Sequence, residues 1–311
     1  MEHVKCNLCG ADDAIVRLPS TIPEENGRPA DPEHFYCTTL SYGQHYRIVQ
    51  CKHCGLVYTN PRRRPVDVLN DYEASVDPRY VAEREGRILT FRQNIRPLEE
   101  RVASCNGHRL LDVGAHVGVF VEVAQECGWD AWGIEPSRWA VEQGRKRGLN
   151  MIQGTLRDAE LDSESFDMVT MWDVVEHLAD PASEIREVAR ILKPGGVFCV
   201  HTMNVESPFA RLMGRRWPWW VEMHLFFFSP KTLGAIVEKT GLQVESWRVQ
   251  GRYLHLGYLL SRLSGWSKPL GQFAEGLTKA LHIDKWVVPV NFGDLFTLYA
   301  RKPNASSTMD K

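Results

Sequence analysis

The stretch from Arg109 to Phe120 constrains the fold of this chain more than any other. It reads Arg-Leu-Leu-Asp-Val-Gly-Ala-His-Val-Gly-Val-Phe, which predicts an apolar strand, a tight turn at Gly114 and a helix that begins at Gly118. Such a helix start offers unpaired backbone N–H groups and a positive dipole end to an anionic group. Asp112 lies beneath the turn, where its carboxylate can bind a cationic amine. The stretch therefore predicts the ligand-binding corner of a βαβ fold.

A second strand follows at the distance that such a fold requires. The run Asp130–Pro136 is short and mostly apolar, and its acid Glu135 comes about 20 residues after the glycine turn. Folds that bind a nucleotide cofactor place an acid at this point, where it accepts hydrogen bonds from ribose hydroxyls. Glu135 is therefore predicted to be the second anchor of the ligand.

Strands and helices alternate along the chain from Arg109 to Met203. The alternation predicts an α/β fold with a doubly wound, Rossmann-like and mostly parallel seven-stranded sheet, completed by strands near residues 242–250 and 294–301. Ligands bind at the carboxyl ends of the strands in such sheets. The residues expected on that rim are Gly114, Glu135, Thr155, Trp172, Asp173 and His201.

Short sequence blocks in this region carry a family resemblance. The blocks are Leu111–Gly114 with Gly118, Gly133–Pro136, Phe166–Val169, Trp172–His177 and Leu192–Gly196. In this order, over residues 108–204, they resemble the class I S-adenosylmethionine-dependent methyltransferases. The resemblance implies S-adenosylmethionine as the cofactor and methyl transfer as the reaction. The family's middle loop glycine is His116 here, a residue type that enters the positive-φ region more easily than a branched one.

The resemblance also implies a set of cofactor contacts. Glu135 would bind the ribose and Leu156 would pack on the adenine. Trp172 and Asp173 would line the methionine and ribose side. The complete implied set is Asp112, Gly114, His116, Gly118, Glu135, Pro136, Thr155, Leu156, Trp172 and Asp173.

Two Cys-x-x-Cys pairs near the N-terminus predict a metal site. Each pair is a tight turn that directs two thiolates at one ion, and four thiolates form a closed structural zinc site. The predicted ligands are Cys6, Cys9, Cys51 and Cys54. Since the gap between the pairs is long, another residue could replace one ligand, and a redox pair is a further alternative. The replacement candidates are Cys37, His34, His45 and His53.

The predicted organisation places a small zinc-ribbon-like module before the Rossmann-like domain. Short alternating strands flank the second cysteine pair, as expected of a ribbon hairpin, and the arginine run that ends the module is either a solvated linker or a phosphate contact. The predicted boundaries are 1–64 for the module, 65–107 for a helical lid, 108–302 for the domain and 303–311 for a disordered tail. Within the domain, 205–230 is an aromatic substrate segment and 253–285 a helical insertion.

The aromatic segment contains Trp217, Trp219 and Trp220 ahead of His224 and a run of phenylalanines. It resembles a block in methyltransferases that act on polysaccharides, sugars and quinols, which implies a small polar acceptor: a hydroxyl of a sugar, a glycan precursor or a phenolic metabolite. Aromatic faces suit a ring-shaped acceptor. A hinge that only packs is the alternative.

A hydroxyl acceptor needs a base, and an imidazole near neutral pKa can take its proton. The candidates, in order, are His224 in the aromatic segment, His177 after the fourth strand and His201 at a strand end. A purely structural role is the alternative for each. Ser229 and Pro230 then predict an N-cap and the first residue of a helix.

The composition of the chain limits the classes of partner that are expected. The formal net charge is −2, which disfavours a nucleic-acid partner. No apolar run approaches the ~20 residues that span a bilayer, and the remaining cysteines are scattered as in a reducing compartment, so a cytoplasmic protein is expected. The insertion could cover the substrate, form a homodimer face or contact a membrane that carries a lipid-linked glycan.

Two other functions compete with a small-molecule methyltransferase. One is an RNA methyltransferase whose zinc ribbon binds nucleic acid. The other is a protein that binds the cofactor without catalysis, with His116 as the mark of an altered loop.

Overall fold

A mostly parallel seven-stranded sheet forms the centre of the structure, a computed structural model that describes residues 1–23, 36, 38, 41–73, 76–102, 108–265 and 267–304. The strands of the described part are β1 (Ala14–Leu18), β2 (Ile48–Cys51), β3 (Val57–Thr59), β4 (Arg109–Val113), β5 (Asp130–Glu135), β6 (Asn150–Gln153), β7 (Phe166–Trp172), β8 (Leu192–Met203), β9 (Phe226–Phe227), β10 (Gln243–Val249), β11 (Arg252–His255), β12 (Val287–Val290) and β13 (Leu295–Arg301).

Helices cover both faces of this sheet. They are α1 (Pro65–Glu73), α2 (Pro78–Ala82), α3 (Arg84–Glu99), α4 (Val119–Glu126), α5 (Arg138–Arg145), α6 (Pro181–Ile191), α7 (Pro208–Met213), α8 (Pro230–Lys239), α9 (Leu256–Ser261) and α10 (Lys268–Ala280). Ser229 caps α8 as predicted, since its hydroxyl accepts from the Thr232 N–H and the Thr232 hydroxyl accepts from the Ser229 N–H.

The sheet order confirms the predicted Rossmann-like fold. The strands run β10-β13-β8-β7-β4-β5-β6, with parallel pairing from β8 to β6 and antiparallel pairing of β13 with β8 and β10. The central strands β7 and β8 are buried along most of their length, as expected of strands that helices cover on both faces. The order brings the carboxyl ends of β4, β5, β6 and β7 to one edge.

The cysteine module is joined to this domain through a shared sheet. Its strands pair in the order β1-β2-β3, and β9 from the aromatic segment adds a fourth strand, with Val57 opposite Phe227 and Tyr58 opposite Phe226. Leu8, Leu56 and Tyr58 lie in the same apolar core as the domain's own side chains. The module therefore packs directly on the segment that was predicted to contact substrate.

The arginine run after β3 does not form a solvated linker face throughout. Arg62 is buried, its Nε donates to Glu2 Oε1 at 2.9 Å, and an Nη donates to the Ala179 carbonyl at 2.8 Å. Arg64 is exposed and pairs with Asp67 at 2.9 Å. Arg62 thus ties the module to the turn before α6.

The predicted helical insertion also contains strands. Its helices α9 and α10 are enclosed by β11 and β12, which pair antiparallel with Arg252 opposite Val290. One face of α10 and the following turn is apolar and exposed. That face comprises Leu270, Phe273, Leu277, Leu281 and Trp286. No helix in the described ranges is long and apolar enough to cross a membrane.

Several predicted features lie outside the described residues. They are the alternative zinc ligands His34 and Cys37, most of the linker before β4, and the tail from residue 305.

Candidate functional site

The Glu135 carboxylate holds the glycine loop from below. Its Oε2 accepts from the His116 backbone N–H at 2.9 Å and from the Tyr72 hydroxyl at 3.5 Å, and its Oε1 accepts from the Ser137 N–H at 2.8 Å. His116 stands at φ 48° between Gly114 at φ 70° and Gly118 at φ 80°. A non-glycine residue in that region is unusual and clusters at ligand sites. The loop is thus left-handed at His116 despite the side chain.

Two buried acids lie under this loop. Burial raises the pKa of Glu135 to about 7, although the two backbone N–H donors lower it in part. Burial likewise raises the pKa of Asp112 to about 8, while the Thr170 hydroxyl donates to Asp112 Oδ1 at 2.7 Å. A cationic amine beside Asp112 would favour its charged form. The pair therefore suits a ligand that carries both hydroxyls and an ammonium group.

The N-terminal helices cover the same loop. The Tyr80 ring lies 3.8 Å from the His116 ring, and the Arg87 guanidinium lies 3.5 Å from the Tyr80 centroid. Burial, together with the Arg87 charge, lowers the pKa of His116 to about 3, so the ring is neutral. Its Nδ1 is buried without a hydrogen-bond partner among the described residues. The helices that carry Tyr80 and Arg87 therefore lie against the loop.

The ends of β7 and β8 contribute a second group. Asp173 stands at φ 56°, and its carboxylate lies 3.2 Å from an Arg252 nitrogen and 3.8 Å from His201 Nε2. Burial alone would raise the pKa of Asp173, but Arg252 and His201 bring it below its ordinary value. His201 Nδ1 pairs with Thr297 Oγ1 at 2.9 Å, and burial lowers the pKa of His201 to about 4. Trp172 Nε1 is buried without a partner in the described part of the chain.

The other predicted cofactor residues lie on the same edge. Gly118 is the N-cap of α4, and Pro136 follows Glu135 directly. After β6, the Thr155 hydroxyl donates to Asp158 Oδ2 at 2.6 Å, and Leu156 is buried. The Asp158 carboxylate therefore accepts its hydrogen bond within its own loop. S-adenosylmethionine fits the features of this edge. They are the unpartnered atoms His116 Nδ1 and Trp172 Nε1, the acid Glu135 at the end of β5, and the glycine loop between β4 and α4.

The structure brings two of the predicted base candidates together. The rings of His177 and His224 lie 4.8 Å apart, and with Glu176 they form a set whose ligand atoms are within 4.8 Å of one another. Burial lowers the pKa of both histidines and raises that of Glu176 to about 8. His201 belongs to the separate group around Asp173. Burial therefore favours the neutral form of both rings.

Backbone contacts between the domain and the module fix this pair. The Glu176 carbonyl accepts from the N–H groups of Leu225 and Phe226 at 2.9 and 3.1 Å. From the module side, the Thr59 hydroxyl donates to the His224 carbonyl at 3.0 Å, and the Thr59 N–H donates to the Leu225 carbonyl at 2.9 Å. The short strand β9 is thus held between the rim of the sheet and the cysteine module.

Most of the aromatic segment packs rather than facing a ligand. Trp217 and Trp220 are buried, and the indole nitrogens of Trp217 and Trp219 both donate to Asp294 Oδ2 at 2.9 Å. Trp219 is half-buried and lies against His224, with the Arg252 guanidinium 5.5 Å from its ring. Of the segment's tryptophans, Trp219 is the one next to the histidine pair and Arg252.

The four predicted cysteines converge at the N-terminal module. The Sγ atoms of Cys6 and Cys54 are 3.4 Å apart, those of Cys9 and Cys51 are 3.5 Å apart, and all four lie within 4.8 Å of one another. Sulfurs bound to one tetrahedral zinc at about 2.3 Å lie about 3.8 Å apart. The cluster therefore fits a zinc ion without rearrangement of the backbone.

Three contributors to the site are not predicted from the sequence. Glu176 stood in a recognised block but was assigned no role, although its position directly before His177 was an available signal. Arg252 comes from the insertion and Thr59 from the module, and neither carries a local motif. Only the folded chain places them beside Asp173 and His224.

Comparisons with known proteins identify the family of the domain. A protein-family model described as a methyltransferase domain matches residues 80–246. The ubiquinone biosynthesis O-methyltransferase of Alkalilimnicola ehrlichii is 36% identical over 123 residues, which cover 36% of this chain and 50% of that protein. That of Aliivibrio fischeri strain MJ11 is 31% identical over 153 residues, 44% of this chain and 64% of its own. The match thus spans between 50% and 64% of the length of these relatives.

Solved structures share the fold. A chain in the complex of the Haloferax volcanii Trm112 methyltransferase activator superposes with a TM-score of 0.50 at 17% identity, covering 71% of this chain and 93% of that chain. A Galdieria sulphuraria structure described as a sarcosine dimethylglycine methyltransferase gives 0.50 at 15% identity, covering 71% and 88%. Similarity at this level concerns the fold alone. The family model covers more than half of the 311 residues, and the chain therefore belongs to the methyltransferase family that this model describes.

Proposed function

We propose that this protein is an S-adenosylmethionine-dependent O-methyltransferase that acts on the hydroxyl of a small acceptor. The observation that carries the proposal is the pair of imidazole rings of His177 and His224, which lie 4.8 Å apart and are each held by a backbone carbonyl. The pair belongs to the same domain as the glycine loop that Glu135 binds. A phenolic hydroxyl is favoured over a sugar or glycan hydroxyl because the matched relatives are named as ubiquinone biosynthesis O-methyltransferases.

The residues of the loop and rim would hold the cofactor, which supplies a methyl group activated by its sulfonium. Glu135 has acceptor positions left for ribose hydroxyls after its backbone bonds. Asp112 would bind the ammonium group, and Leu156 would pack on the adenine. Trp172 and Asp173 would border the methionine side. The chain's contribution to the reaction is then positioning, exclusion of water and removal of the acceptor proton.

The proton would pass to an imidazole of the histidine pair. His224 Nδ1 donates to the Trp219 carbonyl at 2.8 Å, because a carbonyl oxygen can only accept. In the neutral ring this leaves a lone pair on Nε2. His177 has the same arrangement through the Met223 carbonyl at 3.0 Å. We assign His224 as the first candidate base and His177 as the second. His201 is not assigned as a base, because its ring lies beside the Asp173 carboxylate.

We propose a structural zinc ion at Cys6, Cys9, Cys51 and Cys54. The convergence of the four sulfurs supports it, and four thiolates leave no open position for catalysis. The metal would fix the turn that joins β2 to β3, and β3 in turn holds the segment that carries His224. Zinc would therefore support activity indirectly.

The exposed apolar face of α10 supports a contact with a lipid surface that presents the acceptor. Lys268 and Lys285 flank this face, and Trp286 completes it, a combination typical of interfacial helices. Cosedimentation with anionic vesicles should fall for Phe273→Glu. A dimer that dissociates in this variant, without vesicle binding, would instead identify the face as a contact between two copies.

The proposed reaction can be tested with tritiated-methyl cofactor. The zinc-loaded chain should label catechol-type phenols, and alkaline-stable ether linkages should show that oxygen is the acceptor. His224→Ala should lower turnover by about 10²–10⁴-fold, the usual value of general-base assistance, with cofactor affinity unchanged. Cofactor binding without label on any phenol or sugar, or label on nitrogen, would overturn the proposal.

A further inference from the structure

We propose that Glu176, His177 and His224 bind a divalent transition-metal ion, which in turn binds the acceptor hydroxyl. This inference rests on the proposed O-methyl transfer and adds a second metal centre, distinct from the cysteine cluster. In this mechanism the acceptor hydroxyl loses its proton while it is bound to the metal ion. An imidazole base does not remove the proton directly.

The geometry of the three side chains suits one ion. One ligand atom from each lies within 4.8 Å of the other two. Ligand atoms bonded to a common ion at about 2.1 Å lie about 3–4 Å apart, so small side-chain rotations close the set. Glu176 and His224 are buried and His177 is half-buried. The set thus stands at a sheltered place on the rim of the sheet.

The hydrogen bonds of the two histidines are those of metal ligands. Each Nδ1 donates to a backbone carbonyl, His177 to Met223 at 3.0 Å and His224 to Trp219 at 2.8 Å. Metal-binding histidines almost always donate their other ring N–H in this way, which fixes the tautomer and ring orientation. Neither Nε2 forms a hydrogen bond to any residue that the structure describes. Both Nε2 lone pairs are therefore available to an ion.

The Glu176 carboxylate supplies the third ligand and the charge. Its Oε2 accepts from the Thr202 hydroxyl at 2.9 Å, a contact of the kind that orients ligating carboxylates. No lysine or arginine within the described ranges forms an ion pair with Glu176. A metal ion at this place would supply a cation that binds this carboxyl group.

The donor set indicates the class of ion. Two imidazole nitrogens and one carboxylate oxygen suit Zn²⁺, Mn²⁺, Fe²⁺ or Co²⁺, and three protein ligands leave positions open for other groups. The softer thiolates of Cys6, Cys9, Cys51 and Cys54 favour zinc at the other centre. The two sites can therefore hold different metals in the same molecule.

An open position at this ion would accept the acceptor hydroxyl. A bound divalent ion lowers the pKa of a coordinated hydroxyl, which then loses its proton to water. The oxygen forms the new bond to the methyl carbon while the carbon–sulfur bond of the sulfonium breaks, and the sulfur keeps the electron pair. Two adjacent hydroxyls could occupy two open positions, so vicinal diols and catechols are the favoured acceptors.

Manganese titration of the full chain loaded with one equivalent of zinc tests the site, because the four thiolates take the zinc and Mn²⁺ prefers oxygen and nitrogen ligands. Free Mn²⁺ is followed by electron paramagnetic resonance. The informative variants are His177→Asn and His224→Asn, since the shorter amide keeps a donor for the backbone carbonyl and removes Nε2. His45→Asn is the matched control, a buried histidine whose Nδ1 also pairs with a backbone carbonyl, that of Tyr46 at 2.8 Å, and which belongs to neither cluster.

We expect one tight Mn²⁺ site in the wild type and the control. In each of the two informative variants its Kd should rise at least about 100-fold, since losing an outer-shell partner alone costs about 10–100-fold. Glu176→Gln should raise the Kd for Mn²⁺ in the same way. It tests the site independently if a histidine variant fails to fold. Cofactor affinity, measured in parallel, reports that the fold is intact.

The outcomes separate this inference from the proposed function. Mn²⁺ binding that is absent in the wild type, or unchanged in all three variants, overturns the metal site, while methyl transfer in that same protein leaves the imidazole base in place. Metal binding with turnover that does not respond to added Mn²⁺ overturns the role of the ion. Metal binding without any methyl transfer contradicts the proposed function instead.

Discussion

The hydroxyl of Thr59 donates a 3.0 Å hydrogen bond to the backbone carbonyl of His224 across 165 residues of sequence. Thr59 ends β3 of the cysteine module, and His224 precedes β9, the strand that the domain adds to the module's sheet. Both residues are buried. The cysteine module is therefore a support for the segment that carries the first candidate base.

Removal of this bond should reduce turnover without affecting the cofactor. Thr59→Val keeps the side-chain shape but leaves the buried His224 carbonyl without its donor, a loss of about 1–3 kcal/mol. We expect turnover to fall about tenfold, because a carbonyl that must find another donor displaces the ring beside it. Thr21→Val removes a similar bond to the Gly43 carbonyl in the same module and should leave turnover unchanged. Equal turnover in both variants would separate the module from the site.

Loss of the cysteine ligands should act through the same contact. Cys6→Ser and Cys51→Ser should each lose zinc, lower the melting temperature and lower turnover, because the ion fixes the turns next to β2 and β3. Cys127→Ser lies outside the cluster and should keep one zinc per chain. Metal analysis by mass spectrometry and thermal unfolding check this. Full zinc occupancy in both ligand variants would refute the site.

The Glu135 carboxylate should account for much of the cofactor affinity. Glu135→Gln keeps the volume but loses the charge, and one charge-assisted bond contributes about 1.5–3 kcal/mol. Calorimetry should therefore show weaker S-adenosylmethionine binding by that amount. Glu142→Gln, on the exposed side of α5, is the control. Unchanged affinity in Glu135→Gln would remove this residue from the cofactor site.

The buried Asp112 should make the cofactor-free protein less stable as pH rises above neutrality. Its pKa is about 8 when folded against an ordinary 3.8, so the folded state holds a proton that the unfolded state has lost. The contribution of Asp112 to the free energy of unfolding is complete below pH 3.8 and decreases as the pH rises to 8. Buried neutral histidines such as His201 act in the opposite direction, but only below their ordinary pKa of 6.5.

The informative window for this effect is therefore pH 6.5 to 8. One such group changes the free energy of unfolding by about 1.4 kcal/mol per pH unit. Urea unfolding of the zinc-loaded chain should show this loss in the wild type and a slope smaller by that amount in Asp112→Asn, which cannot ionise. Parallel slopes for the two proteins would show that Asp112 is charged in the folded state.

Features with a local cause can be predicted from the amino-acid sequence alone. The turn at Gly114 and Gly118 follows from the absence of side chains, and Glu135 follows from its place at the end of the next strand. The two Cys-x-x-Cys turns direct their thiolates whatever the rest of the chain does. Each of these depends on a few adjacent residues, so spacing alone identifies them.

Which of these features come into contact depends on the fold of the whole chain. Nothing near Thr59 in sequence indicates that β3 pairs with β9, and nothing near His224 indicates that its ring comes to lie 4.8 Å from that of His177. The position of Arg252 on Asp173 likewise depends on how the insertion folds back. These contacts arise because burial of apolar surface brings distant segments together. The free energy of this burial depends on the area that is buried and only weakly on which apolar side chains are in contact. Packing of the whole chain therefore selects the partner, and with it the geometry of the site.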